Sequence, residues 1–479
     1  MLNTESGSSR SPFIALIVVL VAVFMELLDA TILSVAAPSI SASLGTSESE
    51  LQWTIAGYTL ALGAGLIIGG RVGDQFGRRR AFLLGLAGFT IASLLCALAS
   101  NPMFLISARI AQGLMASLMI PQVFGIIRSS FTSSQRAKAY GAYGGVLGLA
   151  SVAGPLLGGL LVNANLFDLG WRTIFGINVP IGIIGLLLGI RFLPESREHG
   201  STRLDLIGAL LAALATVLVL LPLVQGREWG WPWWSFALLA LSIPTTALFI
   251  VRENRLAARG GQPILDPALF RIRAFTSGLS ASLLFFGCIG SYFFLLSLYL
   301  QIGTERNALE TGMIILPYAI GSLITSGIGV QFANRAGRAL LVSGSLLLAL
   351  SQLLLLFIVR NGADPSYWAL ALPMIIGGLG IGLTAPILVN VILAGVPVKD
   401  AGAAGAVLTT VGQIGNTTGV AILGVAYFTK LNASFADGAN QLIAYGDALT
   451  SILPWQIACY VIAAGLMFML PSKATNAEI

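Results

Sequence analysis

Asp74-Gln75-Phe76-Gly77-Arg78 is echoed at Asn334-Arg335-Ala336-Gly337-Arg338, and that repetition decides the fold. Each copy lies between two long apolar runs. The echo continues one residue out of phase: Lys138, Gly141, Gly144, Val146, Leu147, Gly154 and Gly158 recur as Lys399, Gly402, Gly405, Val407, Leu408, Gly415 and Gly419. Apolar helices share glycines by chance, but these matches include charged and polar positions. Two homologous six-helix halves follow from it. The offset of 260 residues exceeds the about 200 that six spans occupy, which leaves room for two additional helices.

Composition sets the class. Of 479 residues, 56% are hydrophobic and only 10% charged, against about 25% charged in a soluble domain. The mean hydropathy is +0.89. Apolar runs long enough to cross a hydrocarbon core of roughly 30 Å recur almost from end to end. Hydropathy predicts fourteen spans, at 13–38, 51–70, 81–99, 103–126, 138–162, 173–193, 204–224, 233–251, 274–300, 310–331, 338–359, 367–393, 402–427 and 453–471. The expected organisation is a six-helix bundle over residues 1–200, two further helices over 201–255 and a second bundle over 256–479. The fold class is therefore all-α integral membrane.

Lys and Arg are distributed unequally between the two sets of connections. One set holds most of them, including Arg71, Arg78, Arg79, Arg80, Arg128 and Arg136, while the other holds Arg172, Arg227, Arg306, Arg360 and Lys430. By the positive-inside rule the first set is cytoplasmic, with both termini on that side. The net charge of +6 is thus a topology signal, and no nucleic-acid partner is expected. The first apolar run is too long for a cleavable signal peptide and carries two acids, so it is read as a retained span. Trp229, Trp231, Trp233 and Trp234 read as an interfacial aromatic belt. Cys96, Cys288 and Cys459 lie in three different runs with no ligand spacing. They read as small packers, and no metal site or cofactor is expected. The single histidine, His199, has nothing gathered around it, so an intramembrane enzyme is not expected either.

Charges inside the spans point to chemistry. Glu26 and Asp29 lie well inside the first span, where an ionised carboxylate costs about 2.5 to 3.5 kcal/mol on insertion scales. Three residues apart on a helix, they point within about 60° of each other. The pair is expected to face a watery cavity and to hold a proton or a cation. Arg109 is the one basic residue within a span and away from its ends, at a depth comparable to the acids. It is expected to hold Asp29 or Glu26 ionised until a proton releases it, although a static tether between helices one and four would explain the same residues. Parallel halves place a substrate site at their interface near the midplane, with alternating access by rocking. Candidate wall residues are the polar and aromatic side chains within spans: Gln52, Trp53, Tyr58, Gln112, Asn178, Phe286, Tyr292, Asn390, Gln413 and Asn416.

In the loop that starts at Gly70 after the second span, Gly73 and Gly77 permit a tight connection. Asp74 can accept from a helix N-terminus, and Arg78 can pair across the seam between halves, while Arg71, Arg78, Arg79 and Arg80 also enforce topology. On the fifth span Gly148, Gly154, Gly158 and Gly159 form a small-residue face, and Pro155 favours a bend. Ordinary glycine-mediated packing would account for that face as well.

Gly70 through Arg80 resembles the signature between helices two and three of the major facilitator superfamily. Leu105-Ile106-Ser107-Ala108-Arg109-Ile110-Ala111-Gln112-Gly113 is similar to its fourth-helix motif, and Gly148 with Gly154-Pro155-Leu156-Leu157-Gly158-Gly159 to the fifth-helix motif of its exporters. Leu28-Asp29-Ala30-Thr31-Ile32 and Trp171-Arg172-Thr173-Ile174-Phe175-Gly176-Ile177-Asn178 resemble the first- and sixth-helix motifs of the fourteen-helix drug:proton antiporter branch. The resemblance is detailed over about the first 210 residues. It implies a major facilitator fold, a multidrug efflux transporter of the cytoplasmic membrane, a gating role for the Gly70–Arg80 loop and an exporter role for the fifth helix. The partners would be protons, a small-molecule substrate and membrane lipid, in a single functional chain. The second half carries no mid-span carboxylate, unlike some divalent-cation exporters of the branch. That absence favours monovalent or neutral substrates, and the acidic pair of the first helix, where a proton and a cation can displace one another, favours amphipathic, cationic compounds driven out in exchange for protons. Export of an endogenous metabolite or lipid and proton-coupled import of a solute are the alternatives.

Overall fold

The computed structural model describes residues 11–196, 205–226, 229–259, 261, 263–362, 364–394, 396–397 and 400–470. No strand occurs among them. The helices are α1 (Ser11–Leu44), α2 (Glu48–Phe76), α3 (Arg78–Ala97), α4 (Pro102–Ser130), α5 (Ser133–Ala164) and α6 (Gly170–Phe192). After these come α7 (Leu206–Gln225), α8 (Trp233–Ala258) and α9 (Arg273–Leu298). One continuous stretch, Ala308–Arg360, holds α10 and α11 on either side of a bend at Ala336, and α12 (Tyr367–Ala394), α13 (Ala401–Ala436) and α14 (Gln441–Phe468) complete the chain. Thirteen of these fourteen are long and apolar enough to cross a bilayer. The remaining one, α5, is packed between α1 on one side and α10 and α12 on the other, so it crosses with them.

Helical spans are the solution that apolar solvent imposes, because every backbone donor and acceptor must be met within the segment. The helix ends, which leave four groups of each kind unmet, are closed by polar caps. Ser47 with Glu50, Thr132 with Gln135 and Asn307 with Glu310 form capping boxes on α2, α5 and α10. Asn101 caps α4 just before Pro102, and Asn440 caps α14.

Four features differ from the hydropathy reading. The last helix begins at Gln441 rather than near 453, because its first turns carry polar residues that lower hydropathy without breaking the helix. Spans ten and eleven are joined by a bend with φ −137° and ψ 27° at Ala336, not by a loop, whereas in the first half Gly77, one position further along the repeated motif, takes φ +109° and breaks the chain direction. Span six starts through short turns and is interrupted at Ile177, where Pro180 has no amide to offer the Gly176 carbonyl. Span nine ends in a π turn, Tyr299–Gly303.

α1 to α6 pack mainly on one another, as do α9 to α14. The two sets meet where α5 lies against α10 and α12, and where α2 and α4 lie against α13. α7 packs over α2 and α13 from outside, with Leu220 seated on Gly63, and α8 packs on α7. At the arginine-rich end of the bundle the seam is tight. A methyl at Gly70 would come within 2.7 Å of the Ala406 Cβ, one at Gly405 within 2.8 Å of Phe124, and one at Gly144 within 2.8 Å of Pro386. Further along α13, the polar side chains of Gln413, Asn416, Thr417 and Thr418 are half-buried. The seam is therefore packed shut at the arginine-rich end, and Leu156 of α5 also meets Gly312 of α10 further along it.

Candidate functional site: a buried ion pair and a closed seam

Asp29 projects from α1 into the interior of the first six helices and is 1% exposed. It forms an ion pair with Arg109 of α4 and accepts from Gln112 Nε2 at 2.9 Å and Asn178 Nδ2 at 3.1 Å. Arg109 Nη1 also donates to Gln112 Oε1 at 2.7 Å, and Nε to the Thr54 carbonyl at 3.1 Å. Its guanidinium lies 4.2 Å from the centre of the Tyr58 ring. Ser93 Oγ accepts from Gln112 at 2.9 Å and from Asn178 at 3.4 Å. Arg109, Gln112 and Asn178 hold the carboxylate, and through them five helices, α1, α2, α3, α4 and α6, are joined in one network.

The chemistry explains the crowding. Two opposite charges taken out of water repay their desolvation only when the geometry is good and the remaining hydrogen-bonding capacity is filled. Gln112 fills much of it, donating to Asp29 and Ser93 while accepting from Arg109 and, at 3.7 Å, from the Cys96 thiol. A proton placed on Asp29 would cancel the charge that Arg109 answers, leaving the guanidinium with Gln112 Oε1 and the Thr54 carbonyl. Glu26 sits apart, 8% exposed, and accepts from the Tyr58 hydroxyl at 3.3 Å.

Several sequence expectations change here. Asp29 does not face a watery cavity; it is enclosed within the first half, because its pairing with Arg109 draws it inward. Arg109 takes Asp29 rather than Glu26. Tyr58, Gln112 and Asn178, proposed as cavity wall, are 1%, 0% and 1% exposed and belong to the ion-pair cluster. Tyr292 is enclosed in the second half, with its hydroxyl 3.5 Å from Met374 Sδ and its ring against Phe293 and Tyr318. Trp53 stacks toward Trp229, with 6.5 Å between ring centres, and the neighbouring Gln52 is half-buried. Phe286, Asn390, Gln413 and Asn416 are half-buried, with Phe286 packed over Gly412 and Asn416 over Gly290.

The loop after α2 holds the seam. Asp74, fully buried, accepts from Arg78 Nε at 2.9 Å and Nη2 at 2.7 Å, and from the Ala403 amide in the first turn of α13 at 3.1 Å. Gly73 is required by Gln122, whose amide fills the space a side chain would need. At Gly77 the left-handed φ and the nearby Glu195 carboxylate, 2.6 Å from where a Cβ would lie, both exclude other residues. Glu195 accepts from the Arg79 amide at 3.3 Å, at the N-terminus of α3, and the Arg79 side chain reaches the Ile190 carbonyl near the end of α6. Arg338, the second-half counterpart of Arg78, donates to the Leu470 carbonyl beyond α14 at 2.8 Å.

On α5, a side chain at Gly154 would collide with Thr31 of α1. Gly158 is buried and Gly159 half-buried. The surroundings of Gly148 and the Pro155 ring, with the bend expected there, lie outside the described residues. The sequence reading missed Ser93, Gln122, Arg128 and Glu195.

Two helical bundles, a charge cluster sealed inside one of them and a seam packed shut at the arginine-rich end make a membrane-spanning fold of two halves. The profile of the Major Facilitator Superfamily matches residues 19–420, and the chain belongs to that family; it is a transporter and not an enzyme. A probable actinorhodin transporter of Streptomyces coelicolor is 39% identical over 436 residues, 89% of this chain and 75% of that protein. The tetracenomycin C resistance and export protein of Streptomyces glaucescens is 34% identical over 442 residues, 90% and 79% of the respective chains. The crystal structure of the human organic anion transporter MFSD10 superposes with a TM-score of 0.67 at 14% identity, covering 95% of this chain and 99% of that one.

Proposed function

We propose that this protein is a proton-coupled antiporter that exports amphipathic, cationic toxic compounds across the cytoplasmic membrane. The two halves, residues 1–200 and 256–479, rock about the substrate; both termini and the arginine-rich end are cytoplasmic, and one chain suffices. The observation that carries this reading is the Asp29–Arg109 pair, a charge cluster whose protonation alters the contacts of five helices at once. Relatives named for antibiotic transport, export and resistance support the direction.

The closed cytoplasmic seam corresponds to the outward-facing state. A proton reaching Asp29 from outside frees Arg109, loosens α1 against α4 and α6, and favours the state in which Asp74 leaves the N-terminus of α13. Substrate then enters from the cytoplasm against Phe286, Asn390, Gln413 and Asn416, with Glu26 on the opposing wall as the acidic partner of a cation. Loss of the proton to the cytoplasm restores the pair and closes that side. One pH unit supplies about 1.4 kcal/mol per proton, and 100 mV about 2.3 kcal/mol per net charge moved.

Ethidium efflux from cells expressing the wild type, Asp29→Asn and Glu26→Gln, with and without a protonophore, tests the reading. Asp29→Asn and the protonophore should each abolish concentrative efflux, and Glu26→Gln should weaken it most for cations. Efflux that survives both substitutions and collapse of the gradient refutes the proposal.

A further inference from the structure

The connection after α12 and the first turn of α13 are each held to the first half by a hydrogen bond. Asp74 of α2 takes the Ala403 amide, and Arg128, in the last turn of α4, donates to the carbonyl of Val396. We propose that Arg128 is a second bolt on the cytoplasmic gate, a positioning residue that must withdraw from Val396 before the transporter can open inward. This rests on the rocking of the two halves proposed above, but not on protons or on the class of substrate.

Val396 lies two residues beyond the end of α12 at Ala394, where a carbonyl has no partner within the helix. Its amide turns back to Leu393 at 3.1 Å, so the carbonyl is presented outward to the first half. A guanidinium is a strong donor to it because the bond is charge-assisted. The surroundings are sealed: Arg128 is 6% exposed, Val396 and Tyr140 1% each, and Phe131 4%.

The bolt is also incompletely satisfied. Arg128 Nε and the Tyr140 hydroxyl are enclosed and have no hydrogen-bond partner. A buried donor left unpaired is costly, and water entering an opened seam would relieve that cost. Arg109 differs, since none of its buried nitrogens is orphaned. The arrangement around Arg128 therefore holds the seam while remaining exchangeable for water, as a gate requires and a permanent joint does not.

The test uses a reporter cysteine at Ala406, which is fully buried in the seam on α13, and a second at Gln413. Each is labelled in membrane vesicles with a maleimide, and labelling of the three native cysteines in the parent chain is subtracted. Arg128→Met should raise labelling of the Ala406→Cys reporter from the cytoplasmic side several-fold and lower that of Gln413→Cys from the opposite side. Arg128→Lys, which keeps one donor, should give a smaller change in the same direction, and Tyr140→Phe none. Unchanged labelling at Ala406→Cys, or a parallel rise at both reporters that marks general loosening, overturns the proposal. Should Arg128→Met fail to accumulate in the membrane, the same two comparisons are read from Arg128→Lys. Neither gradient nor substrate is present, so this outcome is separable from failure of the antiport reading.

Discussion

Removing the charge of Asp29 leaves the Arg109 guanidinium 1% exposed in the interior of the first half with neutral acceptors alone, Gln112 Oε1 and the Thr54 carbonyl. Breaking a buried pair from one side costs about 3 to 5 kcal/mol, because the surviving charge stays unpaired. Asp29→Asn keeps an acceptor oxygen and should fall near 3 kcal/mol, roughly two orders of magnitude in the folding equilibrium. Asp29→Ala should lie nearer 5 kcal/mol, since it also strips Gln112 Nε2 and Asn178 Nδ2 of their shared acceptor. Arg109→Met leaves the carboxylate with two amides and no cation, and should cost about as much as Asp29→Ala. The double variant Asp29→Asn with Arg109→Met removes both charges and should be less destabilised than either single change. Unfolding free energies from SDS titration in mixed micelles give the coupling, and proteoliposome uptake driven by a pH gradient should be lost in all of these variants. Single costs that add to within about 0.5 kcal/mol of the double would show that the two side chains are independent. Gradient-driven uptake by Asp29→Asn would refute the switching role.

Two further outcomes follow from the packing and from the surface charges. Gly154→Ala puts a methyl into Thr31, an overpacking worth about 1 to 3 kcal/mol; efflux should fall several-fold and recover partly when Thr31→Ala is added, and absence of any recovery would place the defect elsewhere. Outside the spans, burial pushes the Asp205 carboxyl up, but bonds from Arg252 and from the Gly208 and Ile207 amides outweigh it and hold it below its ordinary value. A depressed folded-state value adds stability that is present above the ordinary carboxylate range and lost as pH falls through the folded value. The stability gap between wild type and Asp205→Asn should therefore stay flat from neutral pH to about 4 and close below it; a gap that closes at neutral pH would contradict the assignment.

The spans were legible because transfer of side chains into hydrocarbon is a local sum along the chain. It failed where polarity and helicity part company, as in the first turns of α14, and where one bend replaced a loop at Ala336. Arg109 was recognisable as a partner for an acid because an isolated charge in that position has no other tolerable state. Whether it would take Glu26 or Asp29 was not legible. The two acids differ by less than a helical turn, and the choice depends on the rotation of α1 against α4. Gln112 and Asn178 were seen as polar residues in apolar helices, but polarity does not say whether a side chain lines a cavity or fills the first shell of a buried charge. Arg128 was indistinguishable from the arginines that set topology until α12 and α13 were placed beside α4.

By itself the sequence determined the solvent, the two repeated sets of spans, the arginine-rich end and the presence of charges that the membrane interior cannot leave unpaired. All of these follow from periodicity and from energies that a residue carries wherever the chain puts it. Only the tertiary structure decided which carboxylate holds Arg109, that Asp29 is sealed inside one half, that α7 covers the contact between α2 and α13, and that Arg128 closes on Val396. Those facts depend on how helices distant in sequence are rotated and tilted against one another, and a pairing across the seam exists only once both of its walls are in place.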